Sequence, residues 1–155
     1  MKCLQMETYR ICSEVHADGL IASGCENRWN RRNQLVIYAS CSRSLATVEM
    51  MVRRSSIIPT INYRLMVISF SEEASSIRQI QLKELPANWR TMAGQSVLQA
   101  LGASWYDSKE SLVLKVPSVV IPQEFNYVFN TEHPLFSEHV KWTGSEPYFW
   151  DRRLL

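Results

Sequence analysis

The chain has 155 residues, which is the length of one domain and enough to bury a hydrophobic core. Hydrophobic residues make up 46% and charged residues 21%, and the net charge of +2 does not favour nucleic acid or anionic lipid as a ligand. No segment approaches membrane-spanning length, and the first ten residues lack the apolar stretch of a secretory signal. These features predict a cytoplasmic domain that binds neither membrane nor nucleic acid directly.

The cysteines and histidines do not have the spacing of a metal site. Cys3, Cys12, Cys25 and Cys41 all lie in the first third of the chain and form no C-x-x-C pair. The three histidines lack the H-x-x-x-H spacing of a helical zinc site. We therefore predict no metal, and we interpret the cysteines as reduced, small core residues.

Apolar periodicity predicts a series of strands, at residues 8–12, 35–39, 64–70, 75–81, 112–116 and 125–129. Residues 35–39 are apolar on both faces, which is typical of a central strand. Pro117 and Pro122 bracket a segment that we expect to be an edge or irregular. The aromatic segment 148–150 is expected to close the sheet.

Two helices are predicted between these strands. The first is capped by Ser42 or Ser44 and ends near Arg53 and Arg54, whose positive charges suit a helix C-terminus. The second covers residues 94–105. Many strands and few helices predict an α+β fold with mostly antiparallel strands.

The first helix carries an acidic residue in an apolar stripe. Leu45, Val48, Glu49 and Val52 follow the i, i+3, i+4, i+7 spacing of a core-facing helix surface. A carboxylate there is costly unless it is paired, hydrogen-bonded or placed in a cleft. From the helix alone, a structural acid paired with an arginine is favoured over a catalytic one.

Common catalytic motifs do not explain Glu49. The chain has no P-loop, no G-x-G-x-x-G fingerprint and no G-x-S-x-G elbow, so nucleotide-binding folds of these kinds and serine hydrolases lack support. The residues by themselves therefore indicate an α+β domain with a partly buried Glu49 and several arginines near it in the sequence.

Eight segments, in chain order, together resemble the RES-domain toxins of bacterial toxin–antitoxin pairs, a family named for an Arg, a Glu and a Ser. The segments are residues 9–11, 28–30 (Arg28-Trp29-Asn30), 36–40, 44–49, 85–90, 99–105, 116–120 and 124–130 followed by His133-Pro134. Each is weak alone, but their common order covers nearly the whole chain.

This resemblance implies one RES domain over residues 1–155, with a fold similar to that of ADP-ribosyltransferases. It implies an enzyme that depletes NAD+ by splitting the nicotinamide–ribose bond, with phosphate or water as the acceptor. NAD+ is then a substrate, inorganic phosphate is a possible co-substrate, and no prosthetic group is expected. The implied partner is an antitoxin of the Xre type.

The resemblance also implies site residues. The implied catalytic residues are Glu49, Arg28, Tyr38 and Ser118, and the implied NAD+-binding residues are Arg10, Arg28, Tyr38 and Ser96. Guanidinium groups suit a pyrophosphate, and an aromatic face suits the cationic nicotinamide ring. A carboxylate about 4 Å from the developing ribose cation supplies about 4 kcal/mol at an effective dielectric of about 20, or roughly a thousandfold in rate.

The loop before Arg28 departs from the family pattern. Cys25, Glu26 and Asn27 stand where the family usually has a glycine pair, and Arg31-Arg32-Asn33 replace a common proline and glycine. This altered loop leaves an inactive binding partner as one alternative to an NAD+-degrading toxin. A second alternative, an RNA-binding or RNA-cleaving toxin, is motivated by the arginine clusters.

A partner surface is also predicted. Arg28, Arg31 and Arg32 and the aromatic segment 142–155 contain residue types favoured as interface anchors. Tyr148, Phe149 and Trp150 could instead complete the core. We expect the antitoxin to cover the active-site entrance, and the toxin to form a homodimer or a larger hetero-oligomer with it.

Overall fold

A computed structural model describes residues 4–53, 57–72 and 76–155 of the chain. Within these residues the elements are seven strands and three α-helices. In chain order they are β1 (Gln5–Ser13), β2 (Val36–Ser40), α1 (Arg43–Met51), β3 (Tyr63–Ser71), β4 (Ile77–Gln79), α2 (Gln95–Ser108), β5 (Val113–Pro117), β6 (Phe125–Asn130), α3 (Phe136–His139) and β7 (Val140–Tyr148).

The strands form one sheet in the order β4-β5-β6-β2-β1-β3-β7. Neighbouring strands are antiparallel except for β4 and β5, which are parallel. The strand that is apolar on both faces, β2, lies at the centre of this order, as predicted. The fold is therefore α+β with a mostly antiparallel sheet.

Alternation along the strands supplies packed faces on both sides of the sheet. Leu114 and Val128 pack with Leu98 of α2, whereas their neighbours Val113 and Phe129 join a second cluster. All five side chains are fully buried. The half of the sheet made of β5 and β6 is thus covered on both faces, which makes it a firm support for residues that follow these strands.

The sheet opens between β1 and β2. Strand β1 pairs with β3 along its whole length, from Gln5 opposite Ser71 to Ser13 opposite Tyr63. It pairs with β2 only where Tyr9 lies opposite Ser40. Because the two central strands diverge beyond this point, a gap forms in the middle of the sheet, under α1.

Helix α1 differs from its predicted extent. Ser42 caps it by accepting a hydrogen bond from the Leu45 amide, but the helix ends at Met51, before the predicted arginines. Val52 is consequently 62% exposed, so its assignment to a core-facing stripe is wrong. The predicted end at Arg54 lies outside the described residues.

The remaining strands agree with the prediction in place but not in extent. The predicted strand at 75–81 is reduced to Ile77–Gln79, and its first residue, Ser75, is outside the described residues. The segment after Pro117 is irregular, as expected. Strand β7 was predicted only at its last residue, because its middle contains exposed polar residues and Gly144, as an edge strand tolerates.

In the described ranges, no helix combines the length and apolar character needed to cross a membrane.

Candidate active site

A cavity of about 190 Å³ lies at the opening between β1 and β2, beneath α1. It is lined by Tyr9, Arg10, Ile11, Cys25, Asn27, Val36, Tyr38, Ala39, Ser40, Ala46, Glu49, Met50, Arg53 and Asn126. Three of the residues implied by the family resemblance, Arg10, Tyr38 and Glu49, therefore meet in one cavity although they come from three different elements.

Glu49 is held by two hydrogen bonds to the same carboxylate oxygen. The Ser118 hydroxyl donates to Oε1 at 2.6 Å, and the Asn126 side-chain amide donates to Oε1 at 2.7 Å. Within the described part of the chain, Oε2 accepts no hydrogen bond. Ser118 and Asn126 therefore fix the orientation of the carboxylate through Oε1, and Oε2 is available to a molecule in the cavity. Structural pairing with an arginine, the interpretation favoured from the helix alone, is not what fixes Glu49.

Ser118 is fully buried just after β5, behind Glu49. Its oxygen accepts hydrogen bonds from the amides of Val120 and Ile121, both at 3.1 Å. With two donors on the oxygen, its own proton is directed to Glu49. The geometry makes Ser118 a residue that orients the carboxylate, rather than one that attacks a substrate.

Tyr38 uses its hydroxyl to hold the loop before β2. The hydroxyl donates to Asn30 Oδ1 at 2.6 Å and accepts from the Trp29 amide at 3.2 Å. Burial raises the pKa of Tyr38 well above its ordinary value, so the phenol stays protonated and continues to donate. The ring remains a lining surface of the cavity, while the hydroxyl is committed to the loop.

The loop of residues 27–30 is seated against α2. Gly102 of α2 lies so close to the Trp29 carbonyl that an added Cβ would be 1.7 Å from that oxygen. Gln99, one turn earlier, donates to the Asn27 carbonyl at 2.9 Å. Asn30 is 1% exposed and donates to the carbonyls of Cys25 and Arg31. The position of Arg28 is thus fixed by contacts on both sides of it.

Arg28 itself does not line the cavity, but it lies within electrostatic range of it. Burial lowers the pKa of Arg28, the Glu49 carboxylate opposes this shift, and Arg53 lowers the pKa further. In the described ranges, its guanidinium group forms no hydrogen bond or salt bridge. It is therefore free to bind an anion that approaches Glu49.

Arg10 lies in the gap between the diverging strands, where it donates to the Tyr38 carbonyl at 3.2 Å. Burial lowers the pKa of Arg10, although an arginine remains protonated at neutral pH. No carboxylate of the described residues pairs with it. Arg53 also lines the cavity and donates to Asn27 Oδ1 at 2.6 Å. Among the described lining residues, the two guanidinium groups face a single carboxylate, that of Glu49.

One of the predicted site residues lies away from Glu49 and the cavity. Ser96 is exposed in the first turn of α2 and is not a lining residue of the cavity. The cysteine interpretation holds for Cys12, which is buried, but is wrong for Cys25, which is exposed at the cavity. Cys3 is outside the described residues.

Several residues at the site were not identified from the sequence. They are Ser40, Asn27, Asn30, Arg53 and Asn126. Asn126 left no signal in the sequence, because it alternates with Phe125 and Tyr127 as a polar residue on the opposite face of a strand does. In the described ranges, His, Cys, Asp and Glu form no group of three or more that could hold a metal ion.

The arrangement has a defined chemical capacity. A cavity lined by guanidinium groups accepts phosphate or pyrophosphate oxygens, and an oriented carboxylate stabilises a positive charge that develops beside it. The cavity therefore suits a ligand with a phosphate group and a reacting carbon that becomes cationic.

The chain is similar to known proteins over most of its length. The family model described as "RES domain" matches residues 8–151. The protein named "Toxin Res" from Yersinia enterocolitica is 31% identical over 127 residues, covering 82% of this chain and 82% of that protein. "Toxin Res" from Pseudomonas putida is 30% identical over 129 residues, covering 83% of this chain and 87% of that protein. "Prs ADP-ribosylating toxin" from a Sphingobium species is 29% identical over 154 residues, covering 95% of each chain.

A solved structure has the same fold. The crystal structure titled as the M. tuberculosis MbcT–MbcA toxin–antitoxin complex contains a chain that superposes with a TM-score of 0.77 at 18% identity. The superposition covers 95% of this chain and 86% of that chain. With a family match over most of its length and relatives of 30% and 31% identity, this chain belongs to the RES-domain family of toxins.

Proposed function

We propose that this protein is the toxin of a toxin–antitoxin pair and that it depletes NAD+ by cleaving the nicotinamide–ribose bond. The observation that carries the proposal is the state of Glu49. Its carboxylate is held through Oε1 by Ser118 and Asn126, and its other oxygen is left available beside a cavity lined by Arg10, Tyr38 and Arg53. A relative whose name includes ADP-ribosylation supports an NAD+-using reaction.

The arginines bind the phosphates of the dinucleotide. Arg10 and Arg28 have guanidinium groups without a carboxylate partner in the described ranges, and bidentate donation to a pyrophosphate matches their geometry. Arg53 adds positive charge at the cavity and fixes Asn27, next to Arg28. The ring of Tyr38 provides an aromatic face for the nicotinamide ring, which is cationic before cleavage.

In the reaction, the bond between the nicotinamide nitrogen and the ribose C1 breaks. The electron pair leaves with nicotinamide, which becomes neutral, and the ribose becomes an oxocarbenium ion. Glu49 stabilises this cation, because its charge is oriented before the reaction begins. An oxygen of phosphate or water then bonds to C1, giving a phosphorylated ADP-ribose or free ADP-ribose and releasing one proton when water is the acceptor.

The proposal is tested by incubating the purified protein with NAD+, with and without inorganic phosphate, and with RNA in a parallel reaction. We expect nicotinamide to be released in amounts equal to the NAD+ consumed, and RNA to remain intact. The acceptor is identified by whether the sugar product carries a new phosphate. RNA cleavage without loss of NAD+ would overturn the proposal, and an inert protein would favour the inactive binding partner.

We further propose that the toxin acts in the cytoplasm and that its partner is an Xre-type antitoxin covering the cavity entrance. The solved structural neighbour is described as a toxin–antitoxin complex, which supports a protein inhibitor for this fold. Arg31 and Arg32 are exposed beside the loop that carries Arg28, so they are available to a partner at this entrance.

A further inference from the structure

We propose that Asn126 is a positioning residue that selects which oxygen of Glu49 faces the substrate, and that Ser40 satisfies the carbonyl oxygen of the Asn126 amide in this orientation. The inference rests on the proposed role of Glu49 in cleaving NAD+. It adds to that proposal a residue pair outside the Arg, Glu and Ser for which the family is named.

Three side chains form a chain of hydrogen bonds across three elements. The Ser40 hydroxyl of β2 donates to Asn126 Oδ1 at 2.7 Å, and Asn126 Nδ2 of β6 donates to Glu49 Oε1 of α1 at 2.7 Å. Ser40 and Asn126 lie directly opposite each other in the β2–β6 register. The amide is therefore placed by the pairing of β2 with β6 in the sheet.

The direction of the amide matters because its two ends differ chemically. Only the NH₂ end of Asn126 can face an ionised carboxylate, since the flipped amide would bring its carbonyl oxygen against Oε1. The hydroxyl of Ser40, which is 6% exposed, donates to Oδ1, so the amide carbonyl has a partner in this orientation. A hydroxyl can donate or accept, whereas an ionised carboxylate can only accept, so the charge of Glu49 selects the orientation and Ser40 completes its hydrogen bonds.

Ser118 alone would not hold the carboxylate in this way. A single hydrogen bond to Oε1 leaves the carboxyl group free to rotate about its terminal bond, which has a broad torsional preference. Ser118, in the segment after β5, and Asn126, in β6, both donate to Oε1. The two hydrogen bonds together restrict the rotation of the carboxylate. The second oxygen is then directed to the cavity.

The first test compares Asn126→Ala with wild type in steady-state cleavage of NAD+. Because Asn126 acts on Glu49 and not on the phosphates, we expect kcat to fall about tenfold and KM to change less than about twofold. Ser40→Ala should lower kcat by a smaller factor, since the amide is retained and only its carbonyl oxygen loses a hydrogen-bond donor. An unchanged kcat in Asn126→Ala would overturn the inference.

Asn126→Asp separates positioning from a merely structural role. The side chain keeps its shape but places a second carboxyl group at hydrogen-bond distance from Glu49, and such a pair shares one proton. While the proton is shared, one carboxyl group donates to the other; when both are ionised, they repel. The activity of Asn126→Asp relative to wild type should therefore fall as the rising pH removes the shared proton.

Asn88→Asp is the matched control, because it introduces the same charge in an exposed turn. Its activity relative to wild type should not depend on pH. If the ratio for Asn126→Asp is equally independent of pH and equal to that of the control, the inference is wrong.

A second readout does not depend on NAD+. Carbon-13 NMR of the carboxyl groups should show, in Asn126→Asp only, a coupled pair that keeps one proton above the range in which ordinary carboxyl groups lose theirs. If wild type does not cleave NAD+, the proposed function fails, yet this measurement still decides whether residue 126 faces Glu49. Two independently titrating carboxyl groups in the variant would contradict the proposed contact.

Discussion

At the scale of single residues, the site depends on which partners each polar group has. Glu49 receives two donors on one oxygen, and Tyr38 commits its hydroxyl to the loop at Trp29 and Asn30. Arg10 and Arg28, in contrast, have no acidic partner within the described ranges. Hydrogen bonds thus hold Glu49 and Tyr38 in place, whereas Arg10 and Arg28 are available to an anionic ligand.

Glu49→Gln should keep the fold and abolish growth arrest. Its side-chain oxygen can still accept from Ser118 and Asn126, so the packing is retained while the charge is lost. We expect the rate of NAD+ cleavage to fall by roughly a thousandfold, the effect of one carboxylate beside an oxocarbenium ion. Thermal unfolding checks the fold, and growth is compared at matched expression; equal growth arrest by both proteins would contradict the assignment.

Arg28→Ala should mainly weaken NAD+ binding, because Arg28 lies beside the cavity with its guanidinium group unpaired among the described residues. Loss of hydrogen bonds to a charged ligand costs about 1.5–3 kcal/mol, or roughly a tenfold to hundredfold weaker affinity. Arg28→Lys should recover little of this, since the fork geometry is lost. Calorimetric titration with the inactive Glu49→Gln protein as background measures the affinity without turnover, and an unchanged affinity would remove Arg28 from the binding site.

At the scale of elements, α2 packs against the loop that carries Arg28 and holds it in place. The close approach of Gly102 to the Trp29 carbonyl leaves no space for a side chain, and Gln99 adds a hydrogen bond to the same loop. The helix α2 therefore packs against the core and also positions the loop that carries Arg28. Ser96, one turn closer to the start of α2, is exposed and has no such contact with the loop.

Gly102→Ala should displace the loop from α2. The added Cβ would lie 1.7 Å from the Trp29 oxygen, so the helix and the loop must move apart. We expect the free energy of unfolding to fall by about 1–3 kcal/mol and NAD+ binding to weaken with it. Chemical denaturation and calorimetry measure the two effects.

Gly144→Ala in β7 is the control for that substitution, because a Cβ there meets no atom within 4 Å. Its stability should stay within about 0.5 kcal/mol of wild type. If Gly102→Ala were as stable as Gly144→Ala and bound NAD+ equally well, the contact between α2 and the loop would not position Arg28.

At the scale of the whole molecule, the half of the sheet made of β5 and β6 is buried, whereas β7 forms an exposed edge. Tyr148 and Trp150 pack edge-to-face with each other and near Tyr63, so part of the C-terminal aromatic segment completes the core. Phe149, in contrast, is 85% exposed and Trp142 is 38% exposed. The surface available to a partner is therefore narrower than the segment 142–155 predicted from the sequence.

Alkaline pH should destabilise the fold through its buried tyrosines. Burial raises the pKa of Tyr127 to about 12, whereas an unfolded tyrosine ionises near pH 10. Above about pH 10 the unfolded state releases the proton first, so the free energy of unfolding falls as the pH rises towards about 12. Denaturation as a function of pH should show a shallower fall for Tyr127→Phe than for wild type; identical slopes would contradict this.

Bound antitoxin and bound NAD+ should exclude each other if the antitoxin covers the cavity entrance. Arg31 and Arg32, which are exposed and directly follow the loop that carries Arg28, are of a residue type favoured as an interface anchor. Labelled NAD+ is titrated into the free Glu49→Gln toxin and into its purified complex with the antitoxin. Binding to the complex with the affinity of the free toxin would rule out occlusion.

Homodimerisation through a different face stays a separate prediction. The exposed Phe149 and Trp142 near the edge strand β7 are candidates for that contact. The mass of the free toxin in solution, compared with that of a Phe149→Ser variant, checks it. A monomeric wild type would contradict it.

The sequence by itself determined the local features of this protein. Periodicity located β2, β3, β6 and both longer helices, because alternation and helical spacing depend on residues a few positions apart. It also singled out Glu49 as an unusual acid, and the order of the motifs indicated the family. Its errors at Val52 and β7 arose where a helix ended early or where an edge strand was polar.

Only the tertiary structure decided how the candidate site is assembled. The hydrogen bonds that orient Glu49 join residues 69 and 77 positions apart, and the bond between Ser40 and Asn126 spans 86 positions. The divergence of β1 from β2, which opens the cavity and leaves Arg10 beside it, likewise depends on how distant strands pair. No local pattern encodes such contacts, because the pairing of the sheet, and not the spacing along the chain, brings these groups together.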